Sequence, residues 1–486
     1  MPAREGCLAA VDIGTTTTRC VLYDLKGRPV EAAYREPVVH HPRTNWTEVE
    51  PEDWWLCAAA AIREALERSG VPNTAVLGVG LCGLKHAIVP LDAQGTPLAR
   101  SMLWMDQRCQ PQAEWMTREH GDAIAASTGG GPTMSTTPSA PKLRWIAENQ
   151  PDLLQRAQVL LLVKDFVRFR LTGTLATDPS DAGGTRLYDP RTGDWSQRML
   201  DLVGVPREKM PPICEPTSVA GGVTECAARA TGLQPGTPVV VGGGDVQCTL
   251  IGANAYGMER ACLYLGTAAW LSVARSTSSG SFGATSTTGA ALKWLSLLLG
   301  YDQPGHTPAS YSVLVVEAER SPAGARGLTF LPHLMGERGP EDDPEAKGVL
   351  YGLSLAHRRE DVARAVLEGC AFQLRRIAES LEPCGIGEAI VVGGGAKSPL
   401  WLQIIADVTG TALLRPRALE AGALGAAILA GVGVGVYPSI RKAAQDLVRI
   451  EGRTQPDEGR RAQYDGLYSL FLDLEESVAP LYRRGR

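Results

Sequence analysis

The sequence predicts an α/β protein of two similar domains, and three observations carry that expectation. Short apolar runs alternate with segments of helical spacing. A β-rich run broken by a Gly-Thr turn occurs near the start and again past the middle. At 486 residues the chain exceeds what one ordinary core encloses.

LAAVDIGTTTTRCVLYDLKGRPV, residues 8–30, holds two β runs around a Gly/Thr turn and a further turn at Lys26-Gly27. PEDWWLCAAAAIREALERSG has helical spacing, with Pro51 and acids at its start and Gly70 at its end. TAVLGVGLCG follows as a strand, and HAIVPLDAQGTPL as another strand and turn. In the second half PVVVGGGDVQCTLIGANA leads to RACLYLGTAAWLSVA, again two apolar runs around a Gly-Thr turn. REDVARAVLEGCAFQLRRIAESL predicts a helix, AIVVGGGAKS a strand into glycines, and PLWLQIIADVTG a helix. The polar stretch STSSGSFGATSTTGA, 276–290, is expected as a surface loop. The division is expected near residue 245, giving domains 1–244 and 245–486.

Charge is near balance, at −5, so no broad electrostatic footprint for nucleic acid or an anionic membrane is expected, and a small-molecule substrate fits better. Eleven scattered cysteines form no CxxC pair, which suits reduced thiols in the cytoplasm and predicts neither disulfides nor a zinc site. Asp12 interrupts the first apolar run, so no signal peptide is expected, and the NWT sequon at Asn45 is taken as chance. GALGAAILAGVGVGVYP is too short before its proline to span a bilayer.

DIGTTTTR, residues 12–19, sets a carboxylate, a glycine and four hydroxyls in a turn ending on a cation. Successive N–H groups at Gly14, Thr15, Thr16 and Thr17 would form an anion-binding concavity, with Arg19 adding charge. Asp12 does not suit a bare phosphate and implies a bridging Mg²⁺ through water. An ordinary Thr-rich hairpin explains the same residues. LGTAA repeats the turn at Gly266 and Thr267, and two such turns suggest one nucleotide held between two domains.

GGGDVQCT, residues 242–249, brings Asp245 to the end of an apolar strand across glycines that allow close backbone approach, although a capped tight turn would look alike. VVGGGAKSPLW nearly imitates a phosphate-binding P-loop but has Ala396 where glycine is needed. Gly394 and Gly395 could instead let a base or ribose lie on backbone. GVGLCG satisfies GxGxxG, but strand rather than helix follows it, so the dinucleotide context fails. His86 reads as a core histidine or a ligand contact. In MLWMDQRC, Trp104 and Asp106 suit a polyhydroxylated ligand, or mark a solvated strand end.

Together these pieces resemble the FGGY family of carbohydrate kinases, of the actin-like ATPase (ribonuclease H-like) superfamily, over nearly the whole chain. GVLYGLSLAHRREDVARAVLE fits the family's second signature, and TPSAPKLRWIAEN fits the first except at Thr137. NWTEVEPEDWW, LTGTLATDPSDA and FLPHLMGERGP also look like family blocks in family order. The resemblance implies two actin-like domains with an interdomain cleft, ATP and Mg²⁺. It implies Asp12, Thr16 and Arg19 in the first phosphate loop, Gly266 and Thr267 in the second, and Gly394, Gly395 and Ala396 at adenosine. Asp245 would be the base taking a proton from a sugar hydroxyl, and Asp12 and Asp245 would face the metal through water.

LWMDQR and the GLCGLKHA block look closest to xylulokinases, with Lys85, His86, Trp104, Asp106 and Asp245 as sugar contacts. Leu84 and Lys85 replace the Gln and Met common there, and Val246 an asparagine. A ketopentose is expected, most of all xylulose, with another polyol, ketose or aldonate (ribulose, glycerol, erythritol, gluconate) as the alternative. A filament or chaperone-type ATPase would share the turns but not WMDQR or the second signature. A silent sugar-binding regulator would need a broken phosphate site. Sugar and ATP are the expected partners, without nucleic acid or membrane; a homodimer is compatible with the resemblance.

Overall fold

The computed structural model describes residues 6–257, 260–273, 281–301, 310–341, 343–382 and 385–482. The chain packs as two units, Met1–Gly252 with Ala421–Leu447, and Ala253–Glu420 with Val448–Arg486.

In the first unit β1 (Cys7–Ile13), β2 (Thr18–Asp24) and β3 (Pro29–Arg35) form the expected antiparallel meander, with Gly27 at φ 70° in its second turn. The helix Pro51–Ser69 follows, opened by proline and closed by left-handed Gly70 at φ 60°. Its apolar stripe, Trp54, Ala58, Ala61, Ile62 and Ala65, is buried. β4 (Val76–Gly83) then lies parallel to β1. β5 (Val219–Gly222) and β6 (Pro238–Val240) complete the order β5-β6-β4-β1-β2-β3, and β7 (Gly243–Gly244) also pairs with β4. Helices between β4 and β5, among them Gln110–Thr128, Ser139–Asn149 and Gln197–Val203, enclose a separate core around Met116, Leu143, Leu187 and Met199.

The second unit repeats the ladder. β8 (Ala261–Leu265), β9 (Ala269–Val273) and β10 (Ser281–Thr285) are its meander, and β11 (Glu388–Val392), β12 (Ala412–Pro416) and β13 (Ile450–Thr454) extend it in the order β10-β9-β8-β11-β12-β13. Each ladder has three antiparallel strands, two parallel ones and an antiparallel edge. The predicted helices span Arg359–Leu381 and Pro399–Thr409, the latter ended by left-handed Gly410.

Two features differ from the sequence-based expectation. The stretch expected as a surface loop at 276–290 contains β10, and Gly289 opens the helix Gly289–Leu298, while 276–280 lie outside the described residues. Serine, threonine and glycine there suit an edge strand that crosses close to a helix: a Cβ on Gly283 would sit 2.6 Å from Ile377. The packing also differs from a single cut at residue 245, because Asp245–Gly252 and the helix Ala421–Gly433 both belong to the first unit.

Close backbone contact explains that return. A Cβ on Gly80 would come within 2.0 Å of the Ala426 carbonyl, one on Gly252 within 1.9 Å of Ala421 O, and one on Gly425 within 1.9 Å of Cys248 O. Only glycines let these main chains touch. Among the described residues no helix is long and apolar enough to cross a membrane. The ten described cysteines are free thiols, and Cys384 lies outside the described residues.

The second unit also buries an ion cluster inside the FLPHLMGERGP block. His333 faces Glu337 through Nδ1 at 3.0 Å and Glu475 through Nε2 at 3.1 Å, and Arg376 joins Glu475 at 2.6 Å. Burial pushes the imidazole pKa down, but hydrogen bonds and charge from the two glutamates outweigh it and raise it to about 9. A raised histidine pKa stabilises the fold fully below the unfolded value of 6.5, and the contribution fades as pH rises toward about 9. The whole effect amounts to about 3 kcal/mol. In urea titrations the stability of the parent, relative to His333→Gln, should decline between pH 6.5 and 9; parallel curves for the two proteins would remove the charged-imidazole account.

Candidate active site

The strands of the first unit bring two carboxylates to one end of the sheet. Asp12 on β1 lies opposite Cys82 of β4, and on the other side of β4 Cys82 lies opposite Gly243 of β7. Two interstrand steps put the Asp12 and Gly243 backbones about 10 Å apart. Asp245 follows two residues on, as the first residue of the helix Asp245–Gly252. The Cys82 thiol registers both acids: its hydrogen bond with Cys248, its burial, and the charges of Asp12 and Asp245 all push its pKa well above the usual thiol value.

The Gly-Thr turn is tight. Gly14 N–H donates to Thr17 O at 3.0 Å, and a Cβ on Gly14 would meet that oxygen at 2.8 Å. Thr16 stands exposed at the tip, while Arg19, the cross-strand partner of Asp12, approaches its carboxylate at 3.3 Å. Trp104 Nε1–H donates to Thr15 Oγ at 3.0 Å and so ties the indole to this turn.

Asp245 is half-buried, and Val246 N–H donates to its Oδ1 at 2.8 Å, fixing the rotation of the carboxylate. Lys85 lies against Gly244, the residue before Asp245, and His86 lies against Gly184. The Lys85 stem crosses bare glycines, with Cε 2.5 Å from where a Cβ of Gly244 would sit and Cδ 3.1 Å from that of Gly184. His86 takes φ 77°, rare for a side chain of its size, and its Nδ1–H donates to Gly184 O at 2.8 Å. Of the departures from the xylulokinase pattern, Leu84 is core, at 2% exposure, whereas Lys85 and Val246 are half-buried.

Asp106 is a correction. The sequence offers it to a ligand hydroxyl, or to solvent as a strand end, but the structure buries it completely. Its oxygens accept from Thr47 N at 2.7 Å, and from Arg108 N at 3.0 Å, Nε at 2.9 Å and Nη2 at 2.6 Å. Those four bonds fill its acceptor sites. Arg108 also pairs with Glu48 and stacks 3.5 Å over Trp46. Asp106 therefore shapes the loop that presents Trp104.

In the second unit the Gly266-Thr267 turn and the Gly393–Ala396 loop lie at the ends of the neighbouring parallel strands β8 and β11. The Gly266 and Thr267 carbonyls accept from Gly289 N and Ala290 N at 3.0 Å. A Cβ on Gly395 would meet Leu265 at 2.8 Å and Trp401 at 2.9 Å. Gly394 is exposed, but the Ala396 side chain turns into the core at 1% exposure, so only its backbone is available to a ligand.

The sequence reading misses a set of charges behind Asp245. Lys164, Asp165, Arg168, Asp178 and Asp181 are each fully buried. Lys164 Nζ lies 2.6 Å from Asp165, 3.0 Å from Asp178 and 3.2 Å from Asp181. The signal was the run VKDFVRFR, in which lysine, aspartate and arginine alternate with large apolar residues on one short helix. Burial would raise Asp165, but Lys164 and Arg168 hold it below the usual carboxylate range. Burial, with Asp178 and Asp165 nearby, drives Asp181 well above that range despite Lys164.

Among the described residues no group of three or more His, Cys, Asp or Glu forms a ready-made metal centre. Three donors converge: Asp12 Oδ2, Cys82 Sγ and Thr249 Oγ lie 3.4, 3.5 and 3.5 Å from where a Cβ of Gly422 would sit. The two oxygens are hard donors, and the thiol is buried and hydrogen-bonded with Cys248. This donor set suits a divalent cation that brings its own waters and phosphates.

The N-terminal domain of the FGGY family of carbohydrate kinases matches residues 7–252, and its C-terminal domain matches 252–434. A xylulose kinase of Bacillus subtilis (strain 168) is 30% identical over 485 residues, covering 96% of this chain and 95% of its own. One from Escherichia coli (strain K12) is 31% identical over 492 residues, covering 97% and 99%. The crystal structure of xylulose kinase from Rhodospirillum rubrum superposes with a TM-score of 0.79 at 29% identity, over 98% of this chain and 99% of that one. Matched by both family domains and by relatives of full length, the chain belongs to the FGGY family of carbohydrate kinases and is an ATP-dependent sugar kinase.

Proposed function

We propose that this kinase phosphorylates a terminal hydroxyl of a ketopentose, xylulose first, with Asp245 as general base. One observation carries the base assignment: Asp245 stands half-buried at a glycine strand end that runs in register, through Cys82, with Asp12 beside the Gly-Thr turn. The choice of sugar is supported by the near-full-length likeness to two xylulose kinases.

The sugar oxygen attacks the γ-phosphorus of ATP, the bond to the β-phosphate oxygen breaks, ADP leaves, and the hydroxyl proton passes to Asp245. Val246 N–H holds the carboxylate in orientation while this occurs. The N–H groups of Thr15, Thr16 and Thr17, in the turn closed by Gly14, and the Arg19 cation would face the phosphates, and Gly266, Thr267 and Gly394 would offer backbone to the nucleotide. Asp12 and Asp245 would hold Mg²⁺ through water; when bound, the ion neutralises phosphate charge. His86, Lys85 and the Trp104 indole would line the sugar, with Lys85 giving a cation to a hydroxyl-rich acceptor. The same reading puts the enzyme in the cytoplasm, where ATP is abundant and thiols stay reduced.

Asp245→Asn should keep its thermal midpoint within a few degrees and lose about 10³-fold in kcat; turnover near the parent value would refute the base role. A coupled ADP-release screen with Mg²⁺ over D-xylulose, D-ribulose, glycerol, erythritol and gluconate should give xylulose the highest kcat/KM, by tenfold or so over the next. A larger value for gluconate would transfer the assignment to an aldonate, with Lys85 as its counter-ion. Chelation by EDTA should abolish ADP release, and restored Mg²⁺ should recover it.

A further inference from the structure

The strand end that carries Asp245 is fastened from behind by groups outside the site described above. Gly244 N–H donates to Ser180 Oγ at 2.9 Å. The Ser180 hydroxyl in turn donates to Asp178 Oδ2, which also accepts from Ser180 N at 2.8 Å. Asp178 Oδ1 meets Lys164 Nζ at 3.0 Å. Two residues back from Gly243, the Val241 carbonyl accepts from Arg168 Nη1 at 3.1 Å, and Arg168 is held by Asp165 at 2.8 Å.

The direction of these bonds matters. Because the Ser180 proton is committed to a carboxylate, its oxygen acts toward Gly244 as an acceptor, strengthened by the charge behind it. Gly244 immediately precedes Asp245 and has no side chain of its own to fix it. Pairing with β4 holds one side of this glycine pair, and the Ser180 bond adds a second hold next to the helix start; a displacement of about 1 Å at a reacting group costs roughly a hundredfold in rate.

We propose that Ser180, backed by Asp178 and Lys164, is a positioning residue for phosphoryl transfer: it fixes the Gly244 backbone and thereby aims Asp245 at the sugar hydroxyl. This rests on Asp245 being the base. The Ser180 hydroxyl is spent on Gly244 N–H and Asp178, so its loss is expected to disturb the aim of the base and to leave binding intact. It also leaves intact the slow attack of water on ATP, which does not depend on that aim.

The test compares Ser180→Ala, Asp245→Asn and the parent in full-length protein, with D-xylulose or the polyol ranked first in the screen as acceptor. Ser180→Ala should lose about 10- to 100-fold in kcat for transfer, with KM for sugar and for ATP within about twofold of the parent. Its sugar-independent ATP hydrolysis should stay at the parent rate, so the ratio of transfer to hydrolysis falls. A merely structural role would reduce both rates together through the folded fraction, and that result overturns the proposal, as does a parental kcat. If Asp245→Asn is inactive while Ser180→Ala matches the parent, only the anchoring fails; if Asp245→Asn turns over normally, the base assignment itself fails.

Discussion

Two carboxylates can be carried to one end of the sheet only if nothing stands between the strands and helices that bear them. The helix Asp245–Gly252 lies so close to Ala421–Gly433 that a Cβ on Gly252 or Gly425 would meet main-chain carbonyls at 1.9 Å. Backbone cannot yield as a side-chain tip can, so these positions tolerate no side chain without displacing the helix that starts at Asp245. The same constraint takes the chain back to the first unit after the second is nearly complete. An alanine- and glycine-rich segment is what such contact needs, because larger residues would hold the helix away from β4 and the Asp245 helix.

The two ladders are alike in order and unlike in chemistry. Both place a Gly-Thr turn between the first two strands, with a parallel strand beside the first. Where the first has Asp12-Ile13-Gly14, the second has Tyr264-Leu265-Gly266, and Tyr264 stacks on Trp270 at 5.5 Å between ring centroids. A phenol packed on an indole cannot serve as a cation ligand in the way a carboxylate does. The repeat thus supplies two backbone cradles, and the first unit sets an aspartate where the second has Tyr264.

What the sequence made legible was local. The Gly-Thr hairpins, the helix between Pro51 and Gly70, and the glycine strand end before Asp245 each announce themselves within a few residues, because period and turn chemistry are short-range properties. Asp106 was misjudged for the opposite reason: its partners include Thr47, 59 residues away, and no window around MLWMDQRC contains that amide. β10 was hidden by composition, since an edge strand of serine, glycine and threonine has the residues of a loop. The glycines of GVGLCG resemble a cofactor motif, yet Gly78 and Gly80 face Val434 and Ala426 and serve helix packing.

The buried ions raise the question of why such a group exists at all. Ion clusters of this kind add little stability, and apolar residues of equal volume would often do as well or better. Lys164 and Arg168 lie against Asp165, Asp178 and Asp181, so the ions of the cluster partner one another and the desolvation cost is contained without being recovered as stability. What an apolar core could not supply is direction. A hydroxyl aimed by Asp178 and a guanidinium aimed by Asp165 fix two backbone groups, Gly244 N–H and Val241 O, and so add to the pairing with β4 along a glycine run that has no side chains to hold it. Glycine allows the strand end to come close, and the charges behind it then limit the freedom that glycine brings.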